Sequence, residues 1–299
     1  MDGVLSQAAE GRIKLASDPD YKPSWEAAPA AVLQDADFRR VQKMIYDHCG
    51  IVLGPQKREM VTRRLARRLK ALNLANYKDY LNYVKDSPAA EFQDFCNALT
   101  TNLTAFYREP HHFVVLAKYL QEQKNSSRVR VWCAAASTGE EPYSIAMTAC
   151  KAFRNMHPPV DILATDIDTQ VLKTAAQGVY AEERIEALET PERRKFFFRG
   201  QGENLGKVRV RPELQSLIQF KQKNLLEDDY KIQPGLDVVF LRNVMIYFDR
   251  AGQRHIVERM HRLLKPEGLL IVGHSENLFH AQDLFRSLGQ TVYIPLGSR

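Results

Sequence analysis

From Arg128 to Met147 the chain reads RVRVWCAAASTGEEPYSIAM, and no other stretch restricts the fold as tightly. Val129, Val131 and Cys133 alternate with polar or large residues, which is the period of a strand. Small residues follow, and the pattern switches to helical spacing near Glu140. Pro142 falls in the first turn, where its missing N–H costs nothing, and Tyr143, Ala146, Met147 and Cys150 share one face. A strand, a tight loop and a helix N-terminus in this order form the opening unit of a doubly wound, Rossmann-like α/β sheet.

The loop Ala134 to Gly139 lets a ligand lie against backbone, because only small side chains stand in its way. It is not GxGxxG. Glu140 and Glu141 stand where a pyrophosphate would need bare N–H groups, so a cationic ligand fits better. The next strand, Asp161 to Asp166, ends in an acid that can accept both hydroxyls of a ribose. A cationic nucleoside points to S-adenosylmethionine. The competing reading is that Glu140 only complements the helix dipole and Asp166 only caps the following helix.

A chain of 299 residues with 44% apolar and 26% charged residues is an ordinary globular composition with room for one large or two modest domains. No stretch reaches the ~18 apolar residues of a membrane span, and the start lacks a basic segment followed by an apolar block, so a cytoplasmic location without membrane insertion is expected. Cys49, Cys96, Cys133 and Cys150 form no CxxC and have no histidine at metal spacing, so they read as reduced packing residues and no metal is expected. The net charge of +6 is concentrated. Lys57 to Lys70 holds seven basic residues against Glu59 alone, which leaves the rest of the chain formally neutral. Such a segment marks a surface for an acidic partner.

Residues 1–31 carry no sustained period and read as a disordered tail. Residues 32–100 read as a small all-helical domain. Its first helix has Asp35 as N-cap, Phe38, Val41 and Ile45 on one face and Gly50 as stop. The second, Pro55 to Leu72, buries Val61, Leu65, Leu69 and Leu72 and projects Arg63, Arg67 and Lys70 outward, with Arg64 at the flank. Helices at Tyr77 to Lys85 and Pro88 to Leu99 complete it. A basic helix is commonly just a solvated face, but this one lacks the interleaved Glu that exposed helices use at i,i+4. Nucleic acid or an acidic protein surface would satisfy it.

Residues 101–125 read as a linker and connecting helix, and 126–299 as the α/β domain. In the linker Asn102, Thr104 and Arg108 are placed to close over a ligand, or else to cap a helix and form a surface ion pair. Phe196 to Arg199 and Lys207 to Arg211 read as an antiparallel hairpin, the centre of an inserted β-subdomain at about 190–215. It can offer an edge to a peptide strand or be a structural flap. The sheet resumes at Leu217 to Phe220, Asp237 to Leu241 and Leu269 to Gly273, with an antiparallel Thr291 to Ile294 last. Thr138, Asp166, Asn224 and Asn243 then all fall at carboxyl ends of strands, where such sheets bind ligands, and Asn224 can read an adenine edge.

Five segments, LTTNLTAFYREPHHF (99–113), VWCAAASTGEEPYSIA (131–146), ATDIDTQVL (164–172), RNVMIYF (242–248) and LLKPEGLLIVGHSEN (263–277), closely resemble the CheR family of chemotaxis receptor methyltransferases. The likeness covers roughly residues 35 to 295 and leaves out the tail. It implies a helical N-terminal domain followed by a class I methyltransferase domain, with S-adenosylmethionine as donor and S-adenosylhomocysteine as product. It also implies methyl ester formation on glutamates of chemoreceptor cytoplasmic helices for sensory adaptation. By that likeness Asn102, Thr104, Arg108, Glu140, Asp166, Asn224, Leu225, Arg242 and Asn243 surround the cofactor. Arg108 and Tyr247 flank the transferred methyl. Receptor methylation segments resemble glutamate-rich helical coiled coils, so Arg63, Arg64, Arg67 and Lys70 would dock one, and the hairpin would hold a receptor C-terminal peptide in some members.

Two other readings compete. A nucleic-acid methyltransferase would use the basic helix to track phosphates, but Arg242-Asn243-Val244-Met245 stands where many amino-group methyltransferases carry Pro-Pro-aromatic. A non-catalytic receptor-binding adaptor would keep the fold without the chemistry, against which the cofactor-facing polar residues are intact.

Overall fold

The computed structural model describes residues 31–86, 89–123 and 128–297. The expected tail lies outside the described residues except for Ala31, which packs on the helical core. Four helices come first: α1 (Asp35–Cys49), α2 (Arg58–Ala71, entered through a 3₁₀ turn), α3 (Tyr77–Asp86) and α4 (Ala89–Leu99). Val61, Leu65 and Leu69 of α2 are buried with Val41, Ile45, Tyr80 and Phe95 in one apolar cluster. Burial of each leucine contributes about 2 kcal/mol. Gln34, not Asp35, is the N-cap of α1, and Asp35 lies in the first turn, where its charge still faces the positive end of the helix. Gly50 ends α1 at φ 67°, and a Cβ on it would lie 2.1 Å from Leu226 Cδ1. Glycine therefore both turns the chain and lets the helical domain close on the second domain.

The second domain runs through α5 (His111–Glu122), β1 (Val129–Cys133), α6 (Glu140–Phe153), β2 (Val160–Asp166), α7 (Thr169–Gln177), β3 (Val179–Ala181), α8 (Thr190–Phe196), β4 (Phe197–Arg199), β5 (Lys207–Val210) and α9 (Pro212–Gln215). It continues with β6 (Ile218–Gln222), β7 (Leu236–Leu241), α10 (Arg250–Leu263), β8 (Leu264–Val272), β9 (Phe285–Gly289) and β10 (Val292–Pro295). Seven strands lie in the order β6-β2-β1-β7-β8-β10-β9. All the pairs from β6 to β8 are parallel, and β10 runs antiparallel to both its neighbours. The order reverses beside β1, where Val131 pairs with Ile162 on one side and Val238 on the other. That switch point opens the crevice in which such sheets hold ligands.

Three parts of the chain differ from expectation. The connecting helix expected within 101–125 forms as α5, but it packs into the second domain, where Phe113, Leu116 and Leu120 share a core cluster with Val129 and Val131 of β1. The inserted subdomain is a three-stranded antiparallel sheet, β3-β5-β4, which begins at Val179 and not near 190. A three-residue strand directly behind a helix stop is too short to carry a readable period. Phe196 closes α8 instead of opening a strand, and α10 was not read at all, its apolar Ile256, Val257 and Met260 being diluted among charged residues. No helix among the described residues is long and apolar enough to cross a membrane.

Candidate active site

A cleft of about 1050 Å³, counted to its open mouth, lies at the carboxyl ends of β1, β2, β6 and β7. The sheet side supplies Ala134, Ala135, Ser137, Asp166, Asn224, Leu225, Arg242 and Asn243, and the loop before α5 supplies Asn102, Thr104 and Arg108. The helical domain closes the opposite wall with Ile51, Val52, Leu53, Lys57 and Met60. Tyr247 lines the same cleft, and its carbonyl accepts the Val52 N–H at 2.8 Å. The site thus needs both domains.

The floor is shaped by the loop after β1. Gly139 sits at φ 100°, and a Cβ there would meet the Tyr180 hydroxyl at 2.7 Å. Asp166 accepts the Ser137 N–H at 2.8 Å and the Asp168 N–H at 2.9 Å, which ties this loop to the end of β2. Burial pushes the Asp166 carboxyl up to about 6, against the pull of those two N–H groups. A carboxylate has about four acceptor positions. Two remain for donors from a ligand, which fits the two hydroxyls of a ribose. Asp166 does not cap α7; Asp168 does, accepting Gln170 N–H and Val171 N–H.

Arg242 is the hub of the charged wall. Its side chain is fully buried and paired with Glu141, with Glu109 at 3.1 Å, and with the Arg108 carbonyl at 2.6 Å. Burial opposes this cation, and the two carboxylates outweigh it, so its pKa lies above the ordinary value. Burial alone would raise the Glu109 carboxyl, but Arg242, the Asn243 amide and the His274 N–H hold it below its ordinary value. Glu276 accepts four backbone N–H groups, from Asn243, Val244, Met245 and Gly273, and so shapes the turn that leads to Tyr247. Burial still leaves the Glu276 pKa raised.

The expected residues divide into three groups. Arg108 faces the cleft with a single hydrogen bond from its guanidinium, to the Leu103 carbonyl at 2.9 Å, and Tyr247 and Leu225 line the wall. Asn102 and Asn224 line it too, but their amides are engaged: Asn102 donates to Asp168 at 2.8 Å and Asn224 to the His48 carbonyl at 2.7 Å. Asn224 Oδ1 also accepts the Leu226 N–H, so its side chain holds the domain junction. Glu140 is not on the wall. Its carboxylate is buried against Thr138 and Arg184, and Glu141 takes the place expected for it. Both acids at the start of α6 are paired with arginines, so the charge expected of them is partly cancelled, and Lys57 and Lys223 line the cleft as well as Asp166.

On α2 the basic residues separate by direction. Arg63, Arg67 and Lys70 are exposed and have no hydrogen-bond or ion-pair partner among the described residues. Arg64 is turned inward, contrary to expectation. Its guanidinium donates to the carbonyls of Ala98 and Thr100, because the end of α4 leaves those acceptors open beside it. Arg68 pairs with Glu91 and Asp94 of α4. The sequence gives no role to Glu109 and Glu276, and it marks Glu141 only as an acid beside the ligand and not as the partner of Arg242. Each lies inside a quoted motif, but only the fold shows that their partners are 30 or more positions away. Among the described residues no cluster of three or more His, Cys, Asp or Glu could hold a metal ion.

Residues 36–100 match the model of the CheR methyltransferase all-alpha domain, and residues 102–294 that of the CheR methyltransferase SAM binding domain. The chain is 52% identical over 260 residues to chemotaxis protein methyltransferase 2 of Pseudomonas aeruginosa, covering 87% of this chain and 92% of that one. It is 47% identical over 262 residues to the chemotaxis protein methyltransferase of Escherichia coli, covering 87% and 91%.

Proposed function

The chain belongs to the CheR methyltransferase family, and from that premise we propose that it methylates glutamate side chains on the cytoplasmic helices of chemoreceptors. Its cofactor is S-adenosylmethionine. When bound, this cofactor would supply a methyl on a positively charged sulfur; its transfer to a carboxylate oxygen would break the carbon–sulfur bond, leave neutral S-adenosylhomocysteine and move no proton. A glutamate of ordinary pKa near 4.3 arrives ionised at neutral pH, so no general base is required. The work left for the protein is to strip water from an anion and aim it, and placement of this kind is worth several kcal/mol. Arg108 orients the carboxylate and offsets its charge, Tyr247 positions it by hydrogen bond, and Asp166 accepts the cofactor's ribose hydroxyls. Asn102, Thr104, Asn224, Leu225, Arg242 and Asn243 complete the cofactor's surroundings.

The observation that carries this reading is the Arg108 guanidinium, with spare donors, lining the same cleft as the Asp166 carboxylate at the end of β2 and the Tyr247 side chain. The free cations Arg63, Arg67 and Lys70 of α2 would dock an acidic helix, with the exposed Val52, Leu103 and Ile246 giving apolar contact around the mouth. The edge strands β3 and β4 offer open backbone to a receptor C-terminal peptide. Such a partner places the protein at the cytoplasmic face of the receptor. The nucleic-acid and adaptor readings are not favoured by relatives that are methyltransferases of chemotaxis proteins.

Labelled methyl transfer to a receptor cytoplasmic fragment, followed by alkali, tests the chemistry: a glutamate ester releases methanol and an N-methyl product does not. Arg108→Ala should then slow single-turnover transfer about 100-fold with little change in S-adenosylhomocysteine affinity. Loss of affinity at an unchanged rate would remove Arg108 from the transfer step.

A further inference from the structure

We propose that Glu109 is a positioning residue for methyl transfer, acting through the loop that carries Arg108; this rests on the role given to Arg108 above. Arg108 does not fix its own place. Its guanidinium donates to the Leu103 carbonyl and lies 3.9 Å from Glu109 Oε1, both on the same loop, so its position relative to the sheet is set by that loop. That backbone is unusual on both sides: Tyr107 and Glu109 have φ of 50° and 56°, in the left-handed region that side chains rarely adopt. Non-glycine residues keep such angles where their surroundings hold them there, and such places cluster at functional sites.

Glu109 does the holding on the β7 and β8 side. One oxygen accepts the Asn243 amide at 3.2 Å, and the other meets Arg242 Nη2 at 3.1 Å and the His274 N–H at 3.0 Å. The same Arg242 Nη2 donates to the Arg108 carbonyl at 2.6 Å, so one carboxylate and one guanidinium grip the peptide next to Arg108 from both ends. Elsewhere the loop is tied by Ser144 Oγ, which accepts the Tyr107 N–H at 2.9 Å, by Ser137 Oγ on the Asn102 carbonyl at 3.2 Å, by the Asn102 amide on Asp168 at 2.8 Å and by Arg184 on the Thr104 carbonyl at 2.8 Å. Among the described residues only Glu109 joins it to Asn243 and to the end of β8. Besides Arg108 and Arg242, the ionisable group against Glu109 is His112, whose Nδ1 lies 3.5 Å from Oε2 without a hydrogen bond among the described residues; burial and Arg242 push its pKa down to about 4, so it stays neutral. The carboxylate therefore works as a fixed anion and not as a proton carrier.

Glu109→Gln keeps the size and removes the charge. With a receptor fragment as substrate, it should lower kcat about 30-fold while the cofactor KM stays within about 3-fold. In an Arg108→Ala background the same substitution should have almost no further effect, because its route to the chemistry is gone. Glu109→Asp, which retains the charge with a shorter reach, should recover part of the rate. It carries the same cycle if circular dichroism finds the glutamine variant unfolded. Effects that multiply in the double variant, or a change confined to cofactor KM, would overturn the positioning role. Ester formation by the unmodified protein in the same assay separates the two claims: if it is absent, the proposed function falls and this inference with it, and if present alongside a multiplicative cycle, only the inference falls.

Discussion

The sheet wall of the cleft and the outer wall of the helical domain, the exposed face of α2, treat charge in opposite ways. On the sheet side Arg242 is fully buried between Glu109 and Glu141, and Glu276 is saturated by four backbone N–H groups. On the helical side Arg63, Arg67 and Lys70 stand exposed with no ion-pair partner among the described residues. A buried charge is tolerable only when its partners are fixed, so the first wall is rigid by necessity. An exposed, unmatched charge contributes little to the fold, so the second wall is free to serve a partner. The difference separates residues that keep the geometry from residues that recruit the substrate.

The sharpest test of that division is Arg242→Met, which leaves two buried carboxylates facing each other without a cation. It should cost about 3–5 kcal/mol, read as a fall in Tm of roughly 10 °C by calorimetry. Arg67→Met on α2 should stay within about 0.5 kcal/mol of the unmodified protein. Equal losses would erase the distinction between the walls.

Charge reversal on the exposed wall comes next in size. Arg63→Glu with Arg67→Glu should raise KM for a receptor fragment about 30-fold at low salt while leaving S-adenosylhomocysteine binding untouched in a calorimetric titration. Added salt should shrink the gap by weakening the unmodified protein. Arg64→Ala should behave differently from its neighbours, with a lower melting temperature from the loss of its hold on the Ala98 and Thr100 carbonyls.

The smallest effect concerns Asp166. Its carboxyl is raised from 3.8 to about 6 in the folded chain, so the folded state binds a proton that the unfolded state has released. The group therefore costs the ligand-free fold nothing below pH 3.8 and progressively more as pH climbs to about 6. Ribose hydroxyls need the ionised form as acceptor. S-adenosylhomocysteine affinity should consequently fall about tenfold between pH 7 and pH 5, and Asp166→Asn should flatten that profile at a lower affinity. A pH-independent affinity in the unmodified protein would show that Asp166 is not the acceptor.

How far the sequence could be read follows from the range of the interactions. The strand-loop-helix at Arg128 to Met147 was legible because its signal is local, a change of period at Glu140 that the structure keeps. The outward faces of Arg63 and Arg67 were legible for the same reason. Arg64 was misplaced because its partners are carbonyls of α4, and a backbone acceptor leaves no mark in sequence. Glu140 and Glu141 are adjacent and chemically identical, and only the positions of Arg184 and Arg242 in space decide which of them reaches the cleft. Glu109 and Glu276 were hidden in a similar way. Most of their partners are main-chain N–H groups, a side-chain amide and an arginine more than 30 positions away, which no local period reports.

The hydrogen bond from the Val52 N–H to the Tyr247 carbonyl has a practical corollary. A chimera that exchanged the four-helix segment for an unrelated targeting module would arrive without the peptide that keeps Tyr247 in register. Redirecting this protein to a new acceptor is therefore a matter of recolouring the outer surface of α2 residue by residue, since the scaffold beneath those arginines is also half of the catalytic vessel.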